Sequence, residues 1–106
     1  MLVAPGSGVV THDRLVNGRW VWGIANITPM TTLFYFGENG RIQGYDNFNE
    51  RTWKLTDGLL SLFNDNGTLT WKFEVIFEEN GHLSMITRSE VDPYWNDFFV
   101  LSEYIP

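Results

Sequence analysis

The sequence predicts an all-β protein: an antiparallel up-and-down barrel of about eight strands, preceded by a short N-terminal arm. Three observations lead there. The first is alternation in residues 68–77, where Leu69, Trp71, Phe73, Val75 and Phe77 are apolar and mostly polar residues separate them. Side chains of a strand alternate between faces, so this is one strand with a buried face and a wet face, broken only at Ile76. The second is punctuation. Asn39-Gly40, Asp57-Gly58, Asn66-Gly67 and Asn80-Gly81 are favoured hairpin pairs, because such turns require positive φ. The third is the short, regular spacing of these turns, with no convincing helical period between them. A two-sheet sandwich is the runner-up architecture.

Each element follows from local composition. Residues 1–10 hold Pro5, Gly6, Ser7 and Gly8 and read as an arm without a core of its own. In 9–16, Thr11 can cap a short helical turn that packs Leu15 and Val16 inward. A strand at 18–25 opens on Gly18-Arg19-Trp20, and a loop at 26–30 with Pro29 leads to a β-prone strand at 31–36. Its partner occupies 41–45. Residues 46–50 are polar around a single Phe48 and read as a longer loop. Residues 51–55 alternate, with Trp53 and Leu55 on one face, before Asp57-Gly58 turns the chain into 59–63. After the 68–77 strand, 82–88 place Leu83 and Met85 inward. A long loop at 89–97 holds Pro93, Tyr94 and Trp95, and 98–105 form the last strand. The expectation is a single domain over 1–106, with arm and turn in 1–17 and barrel in 18–106.

Composition narrows the function. A chain of this length buries roughly two-thirds of its unfolded surface. Aromatic content is 16%, with five Trp and eight Phe, which calls for a deep interior or an adhesive cleft. Thirteen acidic residues against seven basic give a net charge of −6, which disfavours nucleic acid and anionic membranes as partners. With no cysteine, disulfides and thiolate chemistry are excluded. Residues 1–10 lack the basic start and apolar run of a signal peptide, so the expected setting is cytoplasmic, or a module of a longer chain.

Strand direction sorts the connections. In a meander successive turns fall at opposite ends, so the tight turns at 39–40, 57–58 and 80–81 close one end. The longer loops at 26–30, 46–50 and 89–97 gather at the other, with the shorter turn at 64–67. Ligand sites of small barrels sit at such a mouth. Trp22, Trp53, Trp71 and Phe73 point inward by alternation and either fill the barrel or line a pocket near its mouth. Trp20, near the closed end, belongs to the core. Phe48, Tyr94 and Trp95 stand beside Asn and Asp in polar loops, as anchors over the barrel or as a stacking platform. Aromatic faces beside amide and carboxylate groups suit a sugar or another amphipathic molecule. Arg88 and Glu90 stand at the rim. Glu103 shares inward parity with Phe99 and Leu101, which points to an arginine partner near the closed end.

The catalytic inventory is thin. No nucleophile elbow, phosphate loop or metal-ligand spacing occurs, and neither metal nor cofactor is expected. Residues 64–67 form a hairpin turn rather than a calcium loop. His12 and His82 read as solvated. Glu90 and Asp92, near the mouth, are the acid–base candidates, with solvated loop carboxylates as the simpler reading.

Gly18-Arg19-Trp20 resembles the G-x-W that opens the first strand of lipocalins and related calycin barrels, where a short turn also precedes it. From Trp20 to about Phe73, roughly half the chain, the order of elements is similar to small lipocalin-like modules appended to bacterial enzymes such as glycosyltransferases. That order stands here as Asn39-Gly40, Ile42, Gly44-Tyr45, Trp53 and Asp57-Gly58. The resemblance implies a lipocalin-like barrel that binds small apolar or amphipathic ligands, or an accessory domain of a larger enzyme. Lipocalins place an Arg or Lys near the barrel's end over the first-strand Trp. Here the last strand has Ser102, Glu103 and Tyr104, which leaves Arg14 or Arg19 for that place.

The expected function is non-catalytic binding of a small neutral or amphipathic molecule, sugar-like or apolar, at the open mouth. The expected partner is that ligand, without nucleic acid or membrane; homodimer and accessory domain both remain open. One alternative is an enzyme, a cyclase or isomerase that shapes a flexible substrate in the barrel interior. Another is a protein-interaction module using exposed aromatics.

Overall fold

The computed structural model describes residues 1–90 and 98–106. Among them the strands are β1 Leu2–Val3, β2 Trp20–Ile24, β3 Thr31–Phe36, β4 Ile42–Gln43, β5 Thr52–Thr56, β6 Leu59–Phe63, β7 Leu69–Phe73, β8 Val75–Glu79, β9 His82–Thr87 and β10 Phe99–Glu103, with one helical turn, α1 His12–Val16. The fold is all-β, and the strand pairs are antiparallel. One sheet runs β1-β8-β9-β10-β2-β3-β4 and a second runs β5-β6-β7.

The two sheets are stitched along two seams. On one side β7 and β8 are consecutive, separated only by Glu74, so a single stretch passes from the small sheet into the large one. Trp71 also bridges Ser89 just beyond β9. On the other side Arg41 bridges Thr52, and the Trp53 N–H donates to the Gly40 carbonyl at 2.9 Å.

The long strand expected at 68–77 is therefore bent, and the bend corrects its face assignment. Trp71 and Phe73 are buried as alternation requires, but beyond Glu74 the parity inverts. Ile76 is 1% exposed and Val75 44% exposed. A one-residue irregularity moves every following side chain to the opposite face. Thr70, also expected outside, is buried, and its Oγ1 donates toward the carbonyl oxygens of Asn49 (2.7 Å) and Leu62 (3.1 Å).

The turns have the expected backbone. Asp57 and Gly58 have φ of 52° and 79°, and Asn80 and Gly81 have 53° and 81°. Two successive positive φ values define the type I′ hairpin that matches strand twist. The β4 strand is shorter than the 41–45 expectation, because Gly44 leaves the extended region at φ 81° and lets the backbone approach Leu33; a Cβ there would lie 2.4 Å from the Leu33 carbonyl oxygen.

The N-terminal segment is not a loose arm. The Met1 ammonium donates to the Glu78 carbonyl at 2.9 Å, and the Glu78 N–H donates back to Met1. Where β6 leaves the edge of the bent strand, β1 takes its place beside β8, so backbone groups there remain paired.

Tight turns and α1 share one end. Thr11 caps α1 by accepting the Arg14 N–H, and Leu15 is fully buried. The Leu15 carbonyl in turn accepts the Trp20 indole N–H at 3.2 Å. Arg14 supplies the partner expected for Glu103, contacting both its carboxylate oxygens (2.8 and 3.0 Å) and also Glu78 (2.8 Å). Between the two ends lies an aromatic core in which Trp20, Trp22, Phe34, Phe36 and Phe73 are essentially inaccessible.

Candidate functional site

At the opposite end the segment connecting β4 to β5 folds inward. Asn47 Oδ1 accepts the Asn49 N–H at 2.9 Å, and Asn47 and Glu50 form a bridge that tightens the chain into a turn. Thr70 holds the Asn49 carbonyl from the small sheet, while the Asp65 N–H donates to Phe48. Pinned on both sides, the turn directs the Glu50 side chain into the interior. Glu50 is 3% exposed.

Its carboxyl meets two tryptophans. Oε1 accepts the indole N–H groups of Trp22 (2.9 Å) and Trp71 (3.1 Å). Oε2 is equally buried, and among the described residues it has no hydrogen-bond partner. Around it the rings interlock: Trp22 meets Trp71 edge-on at 5.1 Å between centroids, and Phe99 lies 4.4 Å from Trp71 and 5.3 Å from Trp22. Burial pushes the Glu50 carboxyl above its ordinary pKa, and the two indole donors offset part of that rise. Burial, then the Glu50 charge, raise the Tyr45 phenol in turn. A carboxyl with one oxygen fixed and the other open can accept from, donate to, or exchange a proton with a group brought against it.

The residues expected from sequence are partly brought together. Trp22, Trp71 and Phe73 share the core beside Glu50, with Trp22 and Phe73 5.8 Å apart. Trp53 lies apart, toward the tight-turn end, where its indole donates to the Gly37 carbonyl (2.9 Å) and its ring contacts Phe36 and His12. Phe48 is half exposed on its loop. Arg88 is exposed over the Phe98 ring, 4.5 Å from guanidinium carbon to centroid. With Glu90 it lines an open surface groove of about 240 Å3. Asp92, Tyr94 and Trp95 lie outside the described residues. Among the described residues no three acidic or histidine side chains converge as a metal site would require.

Glu50 was hidden in sequence by its setting, a run of Asn, Asp and Glu that reads as solvated loop. A signal existed in the tryptophans. An indole only donates, so several inward Trp residues demand buried acceptors. Trp20 and Trp53 use backbone carbonyls, and Trp22 and Trp71 use Glu50. Compared with protein-family models, curated proteins and solved structures, the chain matches none.

Proposed function

We propose that this chain is a lipocalin-like barrel that binds one small amphipathic molecule, without chemistry, at the end carrying the longer loops. The carrying observation is the Glu50 carboxyl, sequestered against Trp22 and Trp71 with Oε2 unpartnered among the described residues. A buried polar group without a partner costs about 1–3 kcal/mol, so a ligand that supplies the missing bond gains a strong and selective contact. The exposed apolar residues Ile27, Met30, Phe48 and Phe98 belong to connections at the same end and suit the apolar body of such a ligand. The sheet seams through Glu74 and through Arg41 and Thr52 support the barrel reading.

Native mass spectrometry of freshly purified protein tests the proposal. The expected result is a retained adduct of one small molecule that is released on unfolding. Bare protein mass, together with unchanged tryptophan emission across a panel of alkyl glycosides and alkyl alcohols, would count against binding. An isomerase or cyclase reading draws on one observation, the raised pKa of a carboxyl set against apolar walls, which suits a general acid. Turnover of a bound molecule, abolished in Glu50→Gln, would favour it.

A further inference from the structure

We infer that the ligand's polar head is a protonated amine, received by the Glu50 carboxylate within the ring of Trp22, Trp71 and Phe99; the inference rests on the binding reading above. Three independent features converge on a cation. First, among the described residues both groups that hydrogen-bond to the Glu50 carboxyl are indoles, which can only donate. Two donors on Oε1 are suited to a carboxylate, and among the described residues Oε2 has no hydrogen-bond partner. An ammonium group would supply both a hydrogen bond and a countercharge. A neutral hydroxyl would supply the hydrogen bond alone.

Second, the surroundings are aromatic. Indole and phenyl faces attract cations through their quadrupoles, most strongly where water is excluded. Trp22, Trp71 and Phe99 lie within 5.3 Å of one another between centroids, and Phe34 extends the cluster at 6.2 Å from Trp22. Among the described residues the side-chain donors to the Glu50 carboxyl are the two indoles, both already committed. Third, the net charge of −6 favours the approach of cations. Tyr45 walls an open groove of about 340 Å3, shared with Ile42, Gly44, Asp46 and Arg51. Arg51 does not make the groove cationic, because its guanidinium pairs with Asp46 and faces Asp65 at 3.6 Å.

The test compares 2-phenylethylamine with 2-phenylethanol, which share a skeleton and differ in the head group. Each is titrated into wild-type protein at neutral pH and low salt, with tryptophan emission as the readout, since two indoles touch Glu50. The amine is expected to bind about tenfold tighter than the alcohol or better. Glu50→Gln, which keeps hydrogen-bonding groups but removes the charge, is expected to erase that preference, the amine losing its advantage of about tenfold over the alcohol. Alcohol binding equal to or tighter than amine binding in wild type would overturn the amine inference and leave the binding proposal standing. If neither compound nor the glycoside and alcohol panel perturbs the emission, both fail. The wild-type comparison needs no variant, so a folding defect in Glu50→Gln does not shield the inference.

Discussion

Replacing Glu50 by Gln and by Leu separates what the buried carboxyl contributes to the fold from what it costs. Leucine removes the acceptor shared by Trp22 and Trp71, stranding two buried indole N–H groups. At about 1–3 kcal/mol for each unsatisfied donor, the loss is about 2–6 kcal/mol, against a total stability of about 5–15 kcal/mol for a domain of this size. Glutamine keeps an amide oxygen for both indoles and removes the ionisable group, so it should match or exceed wild type at pH 8. The pH dependence follows from the sign of the shift. The folded pKa of Glu50 is raised, so between the unfolded value, about 4.3, and the folded one the native state holds the extra proton. Wild-type stability should therefore decline as pH rises through that window, and Glu50→Gln should lack this component. Urea denaturation at pH 5 and pH 8 for the three proteins measures both effects. Equal stabilities for Gln and Leu would show that the indole bonds carry nothing. Parallel pH profiles for wild type and Gln would refute the burial argument.

Three further outcomes follow from packing. Arg14→Met should cost about 1–3 kcal/mol, since its ion pairs are about a quarter exposed. Burial alone would raise Glu103, but the Arg14 hydrogen bond, the Leu83 N–H and the nearby charges outweigh it and lower its pKa; this stabilisation is present above the unfolded pKa and lost as pH falls through the folded one, so the two urea curves should converge in acid. Thr70→Val should lower the urea midpoint by the equivalent of about 1–3 kcal/mol while Thr70→Ser stays near wild type, because the hydroxyl holds Asn49 and Leu62. Gly44→Ala should cost about 3 kcal/mol or more, from positive φ plus collision with Leu33, whereas Gly81→Ala, with open space around it, should cost about 1–2 kcal/mol in thermal unfolding.

The legible parts of the fold were those governed by neighbouring residues. Asp57-Gly58 and Asn80-Gly81 announce their turns because positive φ is a local requirement that few residue pairs meet. The Thr11 cap and the inward Leu15 were readable for the same reason. Parity along 68–77 holds for Trp71 and Phe73 but not for Thr70, which lies at a register shift opposite Leu62 and Phe63 and is buried, and it inverts beyond Glu74, where the chain passes between sheets and Ile76 breaks the alternation. Val75 and Ile76 are both apolar, so either can face inward, and the tertiary arrangement selects Ile76. Glu50 shows the same limit at the candidate site. Its polarity suggests water, whereas its position is set by Asn47, Asn49 and Thr70, the last of them twenty residues away in sequence. Trp22, Trp71 and Phe73 were found because alternation is a strand's own property, while Trp53 was drawn away by a backbone acceptor at Gly37 that alternation does not encode.

The placement of β1 has a consequence for how the chain reaches its fold. Residues 1–3 pair with a strand far along the chain: Met1 meets Glu78 across 77 positions. Contacts of such separation form late, because the entropy of closing the loop between them must be met before they stabilise anything. Until then β8 presents an unpaired edge bearing Val75 and Phe77, a surface on which a second unfolded chain can add a strand. Refolding yield should therefore fall with rising protein concentration more steeply when residues 1–3 are removed. The segment would then act chiefly as a guard on the partly folded chain.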